Sequence, residues 1–263
     1  MNLKLIKTDL LDEFKSKINF NLFESIHSTK NKEIPVDYFQ FYKSVSSVYS
    51  SKIEGEEIDF DSYFKHKFLK VKFKPDYTKK ADDLYRAYEF IEEKEIDIRN
   101  IKKAHAIISA NLLPKNYQGH IRTNPMFVIN HKDMIEYVAA PPDLVKSELN
   151  KLIDDIELLL HADLSLSETF YFASFLHLVF VKIHPFQDGN GRMARLLEKW
   201  FLIRKLGKDA VSIPLEKNYF IHLNDYYAHL KKLGLEYENL DYRKSLDFLL
   251  MTVMNLGNIA KQY

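Results

Sequence analysis

Twelve consecutive residues, His184-Pro-Phe-Gln-Asp-Gly-Asn-Gly-Arg-Met-Ala-Arg195, hold most of the chemistry that this 263-residue chain offers. A histidine at the end of a rigid helix can act as a general base near neutral pH. Asp188 is a hard oxygen ligand, and Mg²⁺ takes one or two such carboxylates with phosphate oxygens and water filling its shell. Gly189, Asn190 and Gly191 stand before a helix, where unpaired backbone N–H groups and the positive end of the dipole attract an anion. Glycine on both sides of Asn190 lets the chain turn tightly and approach a phosphate closely. Arg192 and Arg195, three apart, share a helix face and can grip further phosphate oxygens. One base, one metal carboxylate, one anion nest and two arginines describe a nucleotide phosphate site.

Other readings explain less. Gly189 to Ala194 also spells G-x-G-x-x-A, but that dinucleotide fingerprint follows a strand, and here long helical patterns flank it. The chain contains no G-x-x-x-x-G-K-[ST] and no H-E-x-x-H. His177, seven residues before His184, reads as a packed interior histidine, and His105, His120 and His131 lack the spacing of metal ligands.

The elements that position this loop are helices. Average usage of about 7% would supply roughly 18 glycines, and the chain has 7, with 8 prolines. A helical protein tolerates that scarcity best, since glycine costs up to about 1 kcal/mol inside a helix. Asp37 is placed to cap a helix running to Glu54, with Tyr38, Phe41, Tyr42, Val45, Val48, Tyr49 and Ile53 on one face and Gly55 as its stop. Further helices are expected over 82–95, 98–113, 141–161, 167–183, 192–206, 224–233 and 243–257, the 167–183 helix being almost wholly apolar and buried. Two short strands, Met126 to Ile129 and Ile135 to Val138, flank a polar turn at 130–133 and form the only β signal. The seven lysines between 65 and 80 could suit nucleic acid; Glu54, Glu56, Glu57, Asp59 and Asp61 just before them favour a solvated connector.

Bulk composition narrows the class. Lys+Arg 38 against Asp+Glu 37 leaves a net charge of +1, so nothing global steers the chain toward nucleic acid or a membrane. The longest apolar stretch, 170–181, contains Ser174 and His177 and is too short to cross a bilayer. Zero cysteines exclude disulfides and fit a reducing compartment. The expectation is a cytoplasmic, all-α protein with one hairpin.

The 184–195 segment meets H-P-F-x-[D/E]-G-N-G-R-x-x-R, the signature of the Fic (filamentation induced by cAMP) domain, at each of its nine specified positions, and the chain resembles that family. The resemblance implies a Fic-type helical bundle with a β-hairpin flap over 81–235, an N-terminal helical region 1–80 and a C-terminal helical extension 236–263. It implies transfer of AMP from ATP to a Ser, Thr or Tyr hydroxyl of a target protein or of the chain itself. In that family His184 is the catalytic base and Phe186 anchors the loop. Asp188 holds Mg²⁺ or Mn²⁺, while Gly189, Asn190, Gly191, Arg192 and Arg195 hold phosphates. Gly191, where the phosphorylating toxin branch has lysine, is closer to the nucleotidyl-transferring members. Asp225-Tyr-Tyr-Ala-His-Leu230 resembles the adenine-pocket stretch, with Tyr226 and Tyr227 as its walls. Gly119-His-Ile-Arg122 and the hairpin resemble the target-docking flap, whose Met126, Phe127, Val128, Ile129, Tyr137 and Val138 would take an extended target segment by strand addition. Ser50-Ser-Lys-Ile-Glu54-Gly55 fits the family's inhibitory motif, [S/T]-x-x-x-E-[G/N], and implies a Glu54–Arg195 ion pair. Removal of AMP from a modified protein, transfer of another nucleotide, and a non-catalytic nucleotide-sensing or protein- or nucleic-acid-binding module remain alternatives. Homo-oligomers stay open.

Overall fold

The computed structural model describes residues 1–28, 36–129 and 134–260; the 130–133 hairpin turn, with His131, lies outside the described residues. Twelve α-helices, three short 3₁₀ helices and one two-stranded sheet account for the regular structure described. Short polar side chains start several of the helices. Asp37 Oδ1 accepts from Gln40 N (2.9 Å) at the head of α3 (Tyr38–Ile53), and Asp59 Oδ2 from Ser62 N (3.0 Å) at α4 (Phe60–Phe68). Asp97 caps α6 (Ile98–Ile108), and a Ser165/Glu168 capping box opens α8 (Leu166–Ile183). Proline begins α5 (Pro75–Ile91) and α7 (Pro142–His161), where its missing N–H costs nothing. The remaining helices are α1 (Leu11–Lys17), α2 (Leu22–Ser28), α9 (Asn190–Leu206), α10 (Leu215–Ile221), α11 (Leu223–Lys232) and α12 (Leu246–Ala260). Strand β1 (Phe127–Ile129) pairs antiparallel with β2 (Ile135–Val138), with a bulge between Val128 and Ile129.

Helix α8 is the axis of the bundle. It packs against α1, α2, α7, α9 and α12, and every residue from Thr169 to Phe180 is buried. By length and composition it could cross a membrane, although the apolar stretch read from the sequence is shorter; 78% of it is buried inside this protein. One cluster of buried apolar side chains runs from Ile6 and Phe14 through α8 and α9 to Leu256. The extreme N-terminus is tied to it by one carboxylate. Buried Asp155 of α7 accepts from the backbone N–H groups of Lys4 (2.6 Å), Leu5 (2.7 Å) and Ile6 (2.9 Å). Asp155→Ala strands these donors and is expected to cost about 2–4 kcal/mol; an unchanged urea midpoint would refute that role.

Several expected boundaries move. Helices α4 and α10 arise where the sequence pattern indicated none. Helix α5 begins seven residues before the expected 82, because Pro75 presets the first turn. Helix α6 stops at 108 because Ser109 Oγ turns back onto the His105 carbonyl (2.7 Å) and residues 109–113 continue as turns. The lysine-rich segment is charge-paired at several points: Lys65 with Asp61 (2.5 Å), Lys67 with Asp82 (3.6 Å), Lys79 with Asp76 and Lys80 with Glu56 (2.6 Å).

The largest correction concerns α3. Of the expected face only Val48 and Ile53 are buried; the other buried side chains are Ser44, Ser46, Ser47, Ser50 and Ser51, with Lys43. Small hydroxyl groups let α3 lie close to α5 and α10; those of Ser44, Ser46 and Ser47 find acceptors there or on the helix itself, while buried Ser51 Oγ has none. Ser47 Oγ bonds the Lys43 carbonyl (2.7 Å) and Ser46 Oγ the buried Glu216 (2.9 Å). Tyr38, Phe41 and Tyr42 instead meet edge to face at the margin, where Phe41 contacts Phe60 of α4 (5.6 Å between centroids). The serine-lined face adds polar bonds to a contact that also buries Val48 and Ile53.

Candidate active site

The loop between α8 and α9 is built around a strained histidine. His184 ends α8 in the left-handed conformation (φ 54°), which costs a residue with a Cβ roughly 1–2 kcal/mol. Such strain persists where the surroundings over-determine it, and buried Arg122 does so here. Its Nε donates to the His184 carbonyl (2.6 Å), and its Nη2 donates to the carbonyls of Ala140 (2.6 Å) and Ile183 (3.2 Å). The imidazole is oriented separately. Nδ1 lies 3.1 Å from the Val181 carbonyl, which can only accept, so Nδ1 carries the proton and Nε2 keeps a free lone pair. Burial pushes the His184 pKa down to about 4, so the ring is neutral at physiological pH.

The rest of the loop is fixed by two side chains. Phe186 is fully buried and stacks on His105, with ring centroids 3.7 Å apart and planes within 6°. His105 Nδ1 accepts from Gly119 N–H (2.9 Å) and its Nε2–H donates to the Asp188 carbonyl (2.9 Å). Asn190 closes the turn by accepting from Phe186 N–H (2.9 Å) and donating to Phe186 C=O (2.8 Å). Its side chain is therefore spent inside the loop, and only its backbone N–H is left to face a ligand. Asn190→Ala is expected to lower stability by about 2 kcal/mol through two unsatisfied buried groups, read from a denaturant midpoint. The Asp188 carboxyl is exposed, and among the described residues no three His, Asp or Glu converge on a metal site.

Both arginines in the first two turns of α9 are buried. Arg195 donates through Nε to Ser50 Oγ (3.0 Å) and through Nη2 to Ser50 C=O (3.2 Å) and Glu54 Oε1 (2.6 Å). Burial raises the Glu54 carboxyl, but the Arg195 and Arg192 guanidiniums outweigh it and hold it below its ordinary value. The Glu54 carboxylate fits because residue 191 is glycine: a Cβ there would lie 2.7 Å from Glu54 Oε1. Arg192 Nη2 donates to Glu56 Oε1 (3.2 Å). Arg192 Nε and Arg195 Nη1 remain buried without a partner, as donors a ligand's oxygens can satisfy.

Glu54, His184, Gly191, Arg195, Tyr226 and Tyr227 line one cavity of about 200 Å³. That is below the usual range of about 300–1,000 Å³ for ligand pockets.

Residues 95–202 match the model of the Fic/DOC family. Over that stretch the chain is similar to a Fic domain. It is 31% identical over 150 residues to protein adenylyltransferase fic-1 of Caenorhabditis briggsae, a match covering 54% of this chain and 25% of that protein. Protein adenylyltransferase Fic of Nematostella vectensis is 33% identical over 139 residues, covering 53% and 29% respectively. The chain thus spans about a quarter of the length of these curated relatives. A Fic family protein from Desulfovibrio desulfuricans G20 superposes with a TM-score of 0.76 at 18% identity, covering 100% of this chain and 76% of that one, which shows a common fold.

Within residues 95–202 the hairpin presents two faces. Phe127, Ile129, Met134 and Ile135 are exposed, Met126 is partly buried, and Val128 and Tyr137 line the cavity. Tyr137 and Val138 are anchors more than docking residues. Tyr137 is buried and its hydroxyl donates to the Lys182 carbonyl (2.7 Å), while Val138 N–H donates to Leu235 C=O (2.7 Å). The outer edge of β1 is the open one. Tyr226 is also buried, its hydroxyl 2.9 Å from His177 Nε2, whose Nδ1 meets Glu198 at 2.7 Å; Tyr227 is 40% exposed and reaches the Ile53 carbonyl (3.2 Å). Sequence reasoning missed Arg122 as the clamp on His184, His105 as the support of Asp188, and Glu56 as the partner of Arg192. It also missed Lys182, a buried cavity residue over the Tyr137 ring (3.9 Å) whose pKa burial lowers to about 8. No local pattern marked them, since each works through a partner far away in the chain.

Proposed function

We propose that this chain is a protein adenylyltransferase held in an inhibited state, moving AMP from ATP to a Ser, Thr or Tyr hydroxyl of a target protein or of its own chain. The observation that carries this reading is the Glu54 carboxylate on Arg195, inside the cavity that holds the free Nε2 of His184. The names of the curated relatives supply the reaction, and the site supplies its parts. His184 Nε2 takes the hydroxyl proton as the oxygen attacks the α-phosphorus; the bond to the β-phosphate oxygen breaks and pyrophosphate leaves with its electrons. Arg192, Arg195 and the backbone N–H groups opening α9 hold the phosphates. A single exposed carboxylate suits Mg²⁺ that arrives with the nucleotide, so Asp188 would hold the ion, which neutralises phosphate charge. With Glu54 in place Arg195 is occupied and the cavity is small, so activation needs α3 to shift. The hairpin offers the outer edge of β1 to an extended target.

The test is incubation of the Glu54→Gly protein with α-labelled ATP, GTP, CTP or UTP. Label from ATP should enter protein. Incorporation from none of the four would sink the transferase reading, and incorporation from another nucleotide would correct its substrate. Glu54, ionised beside His184, also suits activation of a water for the reverse reaction; AMP release from a modified protein, faster with Glu54 intact, would favour that second reading.

A further inference from the structure

The segment that carries Glu54 holds a second carboxylate against the same helix turn. Gly55 adopts φ 82°, a conformation that glycine accepts freely, and Glu56 N–H bonds back to the Ser51 carbonyl (3.2 Å). The turn brings Glu54 and Glu56 onto the two arginines of α9. Glu54 takes Arg195 and Glu56 takes Arg192, whose side chain is only 5% exposed. We infer that Glu56 is a second brake on the phosphate site, acting on Arg192 as Glu54 acts on Arg195, and that Lys80 makes this brake releasable.

The reasoning is geometric. A guanidinium occupied by a carboxylate cannot also present that edge to a phosphate. The two clamps differ in what release leaves behind. Glu54 has Arg195 as its ion-pair partner, whereas Glu56 Oε1 also accepts from Lys80 of α5 at 2.6 Å, closer than the 3.2 Å to Arg192. Arg192 can therefore turn to a phosphate while Glu56 stays paired with Lys80. Arg192 already keeps its buried Nε without a partner, so it has unmet donor capacity for an anion. Glu54 is a hard stop, and Glu56 sets a threshold that nucleotide charge overcomes by competition.

This inference rests on the nucleotide reading of the site, and the test separates the two. ATP dissociation constants are measured by titration calorimetry for Glu54→Gly alone and combined with Glu56→Gln or with Lys80→Met. Glu56→Gln should tighten ATP binding about fivefold, the worth of a partly exposed ion pair of about 1 kcal/mol. Lys80→Met should weaken it by a similar factor, because Glu56 then rests on Arg192 alone. A glutamate that only shaped the loop would not give opposite signs for the two changes. If Glu54→Gly binds ATP and neither added change moves the constant, or both weaken it, the second brake is overturned and the transferase reading stands. If no combination binds any nucleotide, both fall.

Discussion

Glu54→Gly is expected to raise ATP-dependent labelling by about 30-fold or more while lowering thermal stability. The gain follows from competition: a close charge pair of this kind couples with about 2 kcal/mol or more, and that free energy opposes γ-phosphate binding at Arg195. The loss follows from the same contact. Arg195 is fully buried, and without Glu54 its charge keeps Ser50 as a partner but loses the carboxylate that raises its pKa above the ordinary arginine value. Removing one partner of a buried pair destabilises, since the remaining charge is uncompensated. Activity and stability should therefore move in opposite directions, and nucleotide should restore part of the lost melting temperature. A variant more stable and no more active than the parent would contradict this account. Glu54→Gln, which keeps the size and removes the charge, should fall between the two.

His184→Ala should lower the transfer rate by about 10²–10⁴-fold, the range for a lost general base, with ATP affinity nearly unchanged. Arg122 grips the backbone carbonyl of residue 184, so the loop keeps its main support without the imidazole. Alanine adds the cost of the left-handed backbone, so His184→Asn, whose side chain tolerates that region, is the cleaner partner variant. The pH profile is a second readout. In the proposed reaction the neutral ring is the base, and its pKa is pushed down to about 4, first by burial and then by the nearby Arg122 charge. Rate should hold level from neutral pH to about 5 and fall through about 4, whereas an unperturbed histidine would lose half its activity near 6.5. Folding stability should decline earlier. The unfolded ring binds a proton below about 6.5 and the folded ring does not until about 4, so stability present above 6.5 is lost across that interval. His105, also pushed down to about 4, adds in the same direction. A rate that halves near pH 6.5 in protein still fully folded would overturn the role of this histidine.

The 184–195 segment was legible because its chemistry is contiguous: base, carboxylate, glycines and arginines lie within one loop and two helix turns. Helix α8 and the hairpin were legible for the same reason, since an apolar run and a polar turn between two short apolar stretches are local facts. Helix α3 shows where that reasoning stops. Its aromatic stripe has helical period, yet the serines face the bundle, because the available partners there are α5, α10 and the Glu216 carboxylate. Periodicity locates a helix; it does not say which neighbour arrives.

Composition and local pattern were enough for the helical class and for the likeness of one loop to a family signature. The tertiary structure alone decided that Arg122 would clamp His184, that His105 would hold Asp188, that Tyr137 would anchor the hairpin, and that Glu56 would join Glu54 on the arginines. The physical reason is one of range. Propensity, capping and anion nests depend on a few neighbouring residues, whereas an ion pair between residues 54 and 195 depends on how every helix between them packs.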